Sequence, residues 1–530
     1  MRQARAAAVK APKSLVRMTS IAAILLNVSR RTLIRSLLST APRVYSIRRY
    51  TERGIQVDSP VPGAQATLEQ YTPYGPDGPP NGTKLAIFVD SALKSAVSDP
   101  RGPRRQPRGS VDKRPRLPNH APMPTLRARF DVVVIGAGVA GLWTAARLRA
   151  QGWSVALLEA RALGSGQTIA SQGIIHGGVK YALTGKAGRA SAMIAPMPEV
   201  WRACLENRPG CEIDLSAAKV LSEHQWIWTA GGVGARLAGA AASKVIRARA
   251  ERVDADDRPA ALRAAPRSVG VHRVPEPVLD PATLVEALSR HVGEHVFLID
   301  ESTLEPGIGD GGEAVIEVKD TAGAPVELRA SRCVLCAGAG AEAVLARLAG
   351  RIEHQTPTMQ RRPLHMLLAR GDLPDLWAHC VGMSAVPRLT ITSQREPDGR
   401  AVWYIGGGVA ETGVERDEQA QIEAGRAALR DALPWLDTSR LEWSALRIDR
   451  AEGRTPDGSR PDEPVVGDAG AFIACWPTKL AFAPAVAREV AARLEHDNVP
   501  RRAHEGDALD ALQRPGVAPL PWREAGRTWR

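Results

Sequence analysis

The run FDVVVIGAGVAGLWTAARLRAQGWSVALLEA, residues 130–160, decides the fold. Phe130–Ile135 is short, apolar and rich in β-branched residues, which predicts a strand buried in a parallel sheet. Glycines follow at 136, 138 and 141, then a helical pattern to Ala150 that Gly152 ends. A second apolar strand, Val155–Leu158, stops at Glu159. Each part has a physical task in holding a nucleotide. Gly136 permits the tight turn, Gly138 lets the backbone approach a pyrophosphate, and Gly141 lets helix and strand pack closely. The anion rests on the helix N-terminus, where free N–H groups and the dipole attract negative charge. Glu159 stands where a carboxylate accepts hydrogen bonds from ribose hydroxyls. Strand, glycines, helix, strand and acid together favour a dinucleotide site over a glycine-rich structural turn.

A chain of 530 residues exceeds the roughly 250–300 that one core supports, so two packed domains and an extension are expected. The net charge of +13 is uneven: residues 1–128 hold 22 Lys and Arg against 7 Asp and Glu, and the remainder 48 against 50. The basicity belongs to the N-terminal segment, so no nucleic-acid partner is expected of the near-neutral body. Residues 1–50 contain no Asp or Glu and many Arg, in the manner of a mitochondrial transit peptide. Their longest apolar stretch, Ile21–Val28, is too short for a bilayer, which needs about 20 residues. Residues 59–122 are rich in Pro, Gly and Arg without a hydrophobic period. Residues 1–122 are therefore expected to be a disordered basic extension, either a targeting segment or an upstream mis-start with Met123 as the true initiator. Six cysteines are too sparse for a disulfide scaffold. Cys333 and Cys336 lack a second pair at zinc spacing, so no metal is expected and both read as buried structural residues.

A second strand-to-turn run lies far downstream, Arg332-Cys-Val-Leu-Cys-Ala337-Gly338-Ala-Gly340. With the first motif it resembles the FAD enzymes of the D-amino-acid oxidase superfamily. Pro277-Val-Leu-Asp280-Pro281, with Asp280 as a helix N-cap, and Arg460–Asp468 agree with that resemblance. The loop GSGQTIASQGIIHGGVKY, residues 164–181, is similar to that of the FAD-dependent glycerol-3-phosphate dehydrogenases, which reads close to Leu-Ile-His-Gly-Gly-Leu-Arg-Tyr-Leu. His176, Gly177, Gly178 and Tyr181 match, and Lys180 stands where that family has Arg. Trp476-Pro-Thr478-Lys479-Leu480-Ala481 shares the family's lysine but not its glycines. Ser444–Arg447 resembles its Gly-Leu/Val-Arg segment, and Arg361–His365 its Arg-x-Gly-x-His segment.

The resemblance spans residues 129–495 and implies an α/β fold: a Rossmann-like FAD-binding domain with an inserted mixed or antiparallel-sheet substrate domain. Residues 123–225, 270–355 and 440–497 are assigned to the first, 226–269 and 356–439 to the second, and 498–530 to a tail. FAD is the implied cofactor. Its implied contacts are Gly136, Ala137, Gly138, Ala140, Gly141, Glu159 and Ala160; Gly166, Thr168, Ser171, Gly173 and Gly177; Ala337 and Gly338; and Thr478, Lys479 and Leu480.

The implied activity is a dehydrogenase or oxidase reaction on a small hydroxy compound, glycerol-3-phosphate dehydrogenase-like. An amine, amino acid or 2-hydroxy acid is the alternative, and a nucleic-acid-acting flavoprotein or non-enzymatic binder a distant one. His176 is the candidate base, because imidazole titrates near working pH; it can equally bond the flavin or attach to it. A small, anionic substrate needs fixed cations, and Lys180, Arg447 and Lys479 are the candidates. Arg grips a phosphate or carboxylate in bidentate fashion and Lys only as a point charge, so Lys180 leaves phosphate specificity open. Lys479 has a second role near the flavin pyrimidine, and Arg447 and Arg450 a second reading as ion-pair partners of Asp449 or Glu452. His365 and Tyr404 fall in expected strands, Pro363–Ala369 and Val402–Ile405, and rank below His176. The electron acceptor (O₂, quinone or a carrier protein) stays open. The expected location is cytoplasmic, peripheral to a membrane if quinone is the acceptor, and mitochondrial if residues 1–50 are a transit peptide.

Overall fold

The computed structural model describes residues 46–51, 54–58, 65–71, 84–89, 124–178, 189–229, 250–352, 356–382, 384 and 386–530. Most of the basic extension lies outside the described residues, as do Lys180 and Tyr181. The chain divides into two units, 1–117 and 118–530. In the first, Ser46–Thr51, Gly54–Asp58, Gln65–Tyr71 and Lys84–Val89 form an antiparallel sheet in chain order. This corrects the expectation of an extension without regular elements. Ile55 and Val57, Ala66 and Leu68, and Leu85, Ile87 and Val89 recur at the period of two that a strand requires.

The second unit holds two eight-stranded sheets. In the first, Val296–Ile308, Val155–Glu159, Leu126–Ile135, Pro325–Leu335 and Phe472–Trp476 lie side by side and parallel. Val465–Ala469 adds an antiparallel edge. Val296–Ile308 and Pro325–Leu335 run on beyond this core and hold Ala314–Asp320 between them as an antiparallel meander. Val132, Val133 and Val134 have no exposed surface, which is why their sequence is continuously apolar rather than alternating. Helices Val139–Ala150, Pro281–Val292 and Ala483–His496 cover one face; the meander and helix Ala341–Leu348 cover the other. Asp280 caps its helix as expected, accepting from Ala282 N (2.9 Å) and Thr283 N (3.1 Å).

The second sheet runs in the order Glu442–Gly453, Met359–Gly371, Ala401–Gly406, Leu389–Arg395, Ala378–Val381, Gln225–Thr229, Val271–Val274, Glu251–Arg252. Ala378–Val381 pairs parallel with Gln225–Thr229 and the other neighbours pair antiparallel, so the sheet is mixed, as expected. Two boundaries move. Glu442–Gly453 pairs without interruption along Met359–Gly371, so it belongs here and not to the flavin domain. Its exposed Arg447 and Asp449 alternate with half-buried Leu446, Ile448 and Arg450, the pattern of a strand with one covered face. Val271–Val274 joins the sheet through Gln225–Thr229. Helix Glu418–Ala432 packs on one face against Leu367, Trp403 and Trp443. The other face presents Met366, Leu368 and Tyr404 to Ile169 and to Ala518, Leu520 and Trp522.

Residues 498–530, expected to be a bare tail, are a strap. Glu505 and Gly506 pair with Arg129 and Ala128, Leu298 N donates to Gln513 O (2.8 Å), and Val517 bridges Leu163. Arg530 then exchanges backbone bonds of 2.9 and 2.7 Å with Trp443 in the second sheet. Trp522, 4% exposed, packs 5.9 Å from Tyr404 between the ring centroids. Among the described residues no helix is long and apolar enough to cross a membrane. Trp522→Ala is expected to cost about 3 kcal/mol of stability, read as a lowered urea midpoint of the full chain. An unchanged midpoint would mean that the strap is not packed as described.

Candidate active site

The glycine turn is shaped by what lies against it. A Cβ on Gly136 (φ +100°) would stand 2.6 Å from Ala337 Cα, and one on Gly141 would stand 1.9 Å from Gly136 O. The helix that follows has Gly138 as N-cap with no side-chain cap, and no acid in its first turn. Its positive end is therefore open to an anion. Val139 N donates to Thr168 Oγ1 (3.0 Å). Glu159 is 7% exposed and accepts from Ala137 N (2.7 Å) and Arg161 N (2.9 Å), bracing the turn from the next strand.

A cavity of about 1620 Å³ is walled by residues of both sheets. Of the expected flavin contacts, Gly136, Gly138, Ala140, Glu159, Ala160, Gly166, Thr168, Ser171, Gly173, Ala337, Gly338, Thr478, Lys479 and Leu480 line it. Ala137, Gly141 and Gly177 stand behind the wall. Ala137 is buried, Gly141 serves the helix-to-turn contact, and a Cβ on Gly177 would meet Pro198 Cγ at 2.8 Å. Gly178 (φ +84°) takes the place expected of Gly177. A helix end whose N-cap is a glycine, a turn too tight for side chains and a carboxylate at the end of the second strand fit a dinucleotide. Among the described residues no three His, Cys, Asp or Glu are grouped to hold a metal, and Cys333 and Cys336 are buried free thiols.

The loop 171–178 is fixed by crossing the segment before Asp280. A Cβ on Gly173 (φ +69°) would stand 1.9 Å from Leu279 O. Leu279 N donates to Gly173 O and Ile175 N to Pro277 O, each at 2.9 Å. This crossing brings His176 to Glu276. The carboxylate is 5% exposed and accepts from Gly177 N (2.6 Å) and Gln225 Nε2 (3.0 Å), with His176 Nδ1 at 3.3 Å. Burial alone would raise the Glu276 carboxyl. The His176 hydrogen bond and charge, the Gly177 N–H and the His379 charge outweigh it and hold the carboxyl below its ordinary value. His379 stacks on His176 with centroids 5.8 Å apart and planes at 24°, its Nδ1 2.9 Å from Thr390 Oγ1. His176, His379 and Gln225 all line the cavity.

Strand alternation sorts the cations. Arg362, Leu364 and Met366 face Arg450, Ile448 and Leu446 across the ladder, and Leu364, Met366, Ile448 and Arg450 line the cavity. Arg447 is opposite His365, one residue out of phase, so both side chains belong to the other face. The Arg447 guanidinium is exposed and donates to Val414 O and Arg416 O, and Arg447 and Asp449 line the cavity as well. Arg450 stands beside Arg362 and Arg460 with Glu411 Oε1 at 3.6 Å; burial, then those two arginines, bring it down to about 10. Asp449 and Glu452 pair with Arg361 (3.5 Å) and Arg362 (3.2 Å) rather than with Arg447. Lys479 Nζ lies 5.2 Å from the Phe482 ring centroid, next to Thr478 at φ +65°. His365 Nδ1 is 3.1 Å from Gly413 O, and the Tyr404 hydroxyl donates to Ala170 O (3.0 Å).

Glu276, Gln225 and His379 escape the sequence reading. A lone Glu between prolines, 100 residues from His176, carries no local sign of burial. Arg450 is visible in the sequence only as an ion-pair partner, because its face depends on a register that the sequence does not print.

Residues 131–493 match the family described as FAD dependent oxidoreductase. The chain is 42% identical over 400 residues to the probable FAD-dependent oxidoreductase PA4991 of Pseudomonas aeruginosa, covering 74% of this chain and 98% of that one. The crystal structure of PA4991 superposes with a TM-score of 0.63 at 38% identity, covering 76% of this chain and 99% of its own. Over 53 residues, 10% of this chain and 9% of the relative, it is 49% identical to a glycerol-3-phosphate dehydrogenase of Mycobacterium leprae. Glycine oxidase from Geobacillus kaustophilus shares the fold, with a TM-score of 0.50 at 17% identity over 73% of this chain and 99% of its own.

Glu159→Ala is expected to weaken FAD binding about tenfold, the equivalent of about 1.4 kcal/mol, in a fluorescence titration of the apoprotein. Because the Glu276 carboxyl is held low, the stability it adds is present above the ordinary glutamate range and is lost as pH falls through its folded value. Glu276→Gln is expected to flatten that acid limb in thermal denaturation at successive pH values.

Proposed function

The chain belongs to the FAD dependent oxidoreductase family, and on that premise we propose that it oxidises a small anionic hydroxy compound of the glycerol-3-phosphate kind. The observation that carries this reading is the presence of an imidazole, His176, and a half-buried cation, Arg450, on the walls of one cavity. When bound, FAD supplies the two-electron acceptor. His176 takes the hydroxyl proton as the alcohol carbon becomes a carbonyl. Arg450, with Arg362 and Arg460 beside it, grips the anionic group, for which a guanidinium fork suits phosphate or carboxylate. Leu364, Met366, Ile227, Val274 and Val381 form the apolar part of the wall and exclude water. Lys479 and Arg447 also line the cavity and are further cations for the same anion, Arg447 while bonded to Val414 O and Arg416 O; Lys180 lies outside the described residues. The short similarity to glycerol-3-phosphate dehydrogenase supports a hydroxy compound over an amine.

The test is the visible spectrum of the FAD-loaded full chain during anaerobic addition of glycerol-3-phosphate, then 2-hydroxy acids, then amines. Bleaching by an anionic hydroxy compound is expected, and bleaching by amines alone would overturn the reading. With the active compound, His176→Ala is expected to slow flavin reduction by about 10²–10⁴-fold. Arg450→Met is expected to weaken substrate binding by about 1.5–3 kcal/mol, the worth of a charged hydrogen bond, seen as a raised dissociation constant in stopped-flow reduction.

A further inference from the structure

We propose that Glu276 is the positioning residue that fixes His176 with a proton on Nδ1 and a bare Nε2 available to the cavity. The inference rests on His176 being the base of the proposed oxidation, but its geometry is independent of the substrate. Three groups converge on one buried carboxylate. Gly177 N holds Oε1, and Gln225 Nε2 and His176 Nδ1 meet at Oε2. The Gly177 N–H is a donor under any assignment, and the carboxylate acceptor requires the Gln225 amide to present its nitrogen. An ionised carboxylate has no proton to give, so the Nδ1 that faces it must be the donor. A neutral imidazole carries one N–H, and with that proton on Nδ1 the lone pair is on Nε2.

The ring is held on its other sides as well. His379 stacks on its face, and His379 Nδ1 is itself tied to Thr390 Oγ1. Among the described residues, Glu276 and His379 are the titratable groups shown in contact with His176, the first at its edge and the second on its face. The carboxylate also completes the chemistry. When Nε2 takes the hydroxyl proton, the resulting imidazolium faces a buried negative charge at 3.3 Å, which stabilises it without any movement of the protein. The two residues come from different elements. His176 rides on the flavin loop; Glu276 follows the Val271–Val274 strand of the second sheet, and Gln225 opens the strand beside it. The base is therefore set only when the loop is seated on that sheet.

A carboxylate that merely anchored the Gly177 turn would make the same bond to Gly177 N and would have no need to dictate the imidazole tautomer. Glu276→Gln separates the two roles. The Gly177 N–H is a fixed donor and keeps the amide oxygen at the Oε1 position, which places the amide NH₂ where Oε2 was. The Gln225 amide turns over so that its oxygen, which has no partner in the parent protein, accepts from that NH₂. Nδ1 must then accept the other N–H, and the ring proton moves to Nε2. The measurement is a long-range ¹H–¹⁵N correlation spectrum of the FAD-loaded full chain labelled with ¹⁵N-histidine, with His176 assigned by its loss in His176→Asn. In the parent protein Nδ1 is expected to carry the proton and Nε2 to be bare; in Glu276→Gln the assignment inverts, and flavin reduction by the active hydroxy compound falls by about 10²-fold or more. Glu276→Asp keeps the charge and is expected to restore the parent tautomer. A parent protein with Nε2 protonated, or a Glu276→Gln protein with an unchanged tautomer, overturns the inference. The parent spectrum alone decides if the variant does not fold. If the tautomer is as stated and no hydroxy compound bleaches the flavin, the proposed substrate fails and the assignment of Glu276 stands.

Discussion

The backbone of Gly136 passes so near Ala337 that no side chain fits between them, and the nucleotide site is a consequence of that approach. Three strand ends are brought together there: Gly136 N bonds Leu158 O at 2.7 Å and Cys336 N bonds Ile135 O at 2.8 Å. With the parallel ladder between Leu126–Ile135 and Pro325–Leu335 in register up to the turn, the following helix must begin directly beneath it. The open helix end, the Glu159 brace and the Thr168 contact all take their places from this one geometry. The second sheet does not depend on the turn itself. It is tied to the nucleotide fold through the loop 164–178 that follows strand Val155–Glu159, where Gln172 Nε2 donates to Thr390 O (3.0 Å) and Tyr404 O (2.9 Å); the same loop carries His176.

The parts legible in the sequence are those whose causes are local. A β-branched run, three glycines and an acid at the next strand end name the nucleotide fold because each acts on its neighbours in the chain. Asp280 is legible as a cap for the same reason. What was hidden depends on partners far away. Which face of the sheet Arg447 and Arg450 each take is decided by the pairing of Glu442–Gly453 with Met359–Gly371, and a one-residue change of phase would exchange the faces. The likeness of Ser444–Arg447 to a family segment picks out a residue type and leaves its face unstated. Glu276 was hidden because its burial comes from a loop crossing 100 residues away.

The two charged centres of the cavity are built on different rules. The carboxylate of Glu276 is surrounded by donors and buried, so its charge is fixed and its direction of action is toward one imidazole. The arginines around Arg450 repel one another and share Glu411 and Glu452, so their positive charge is only partly answered from within the protein. A half-buried set of like charges favours a ligand that brings negative charge. One centre is complete in the protein alone; on the proposed function, the other is completed by the anionic group of the substrate.

The strap formed by residues 498–530 makes many of its attachments through the main chain: the pairs of Glu505 and Gly506 with Arg129 and Ala128, the Val517–Leu163 bridge, and the exchange between Arg530 and Trp443. Bonds of that kind are indifferent to residue identity. Substitutions can therefore accumulate along most of the strap while its path stays the same, with Trp522 and the few other buried side chains as fixed points. Related chains would then share this segment as a route across the two sheets more than as a motif, and aligning them by letters alone would understate how much of the architecture they hold in common.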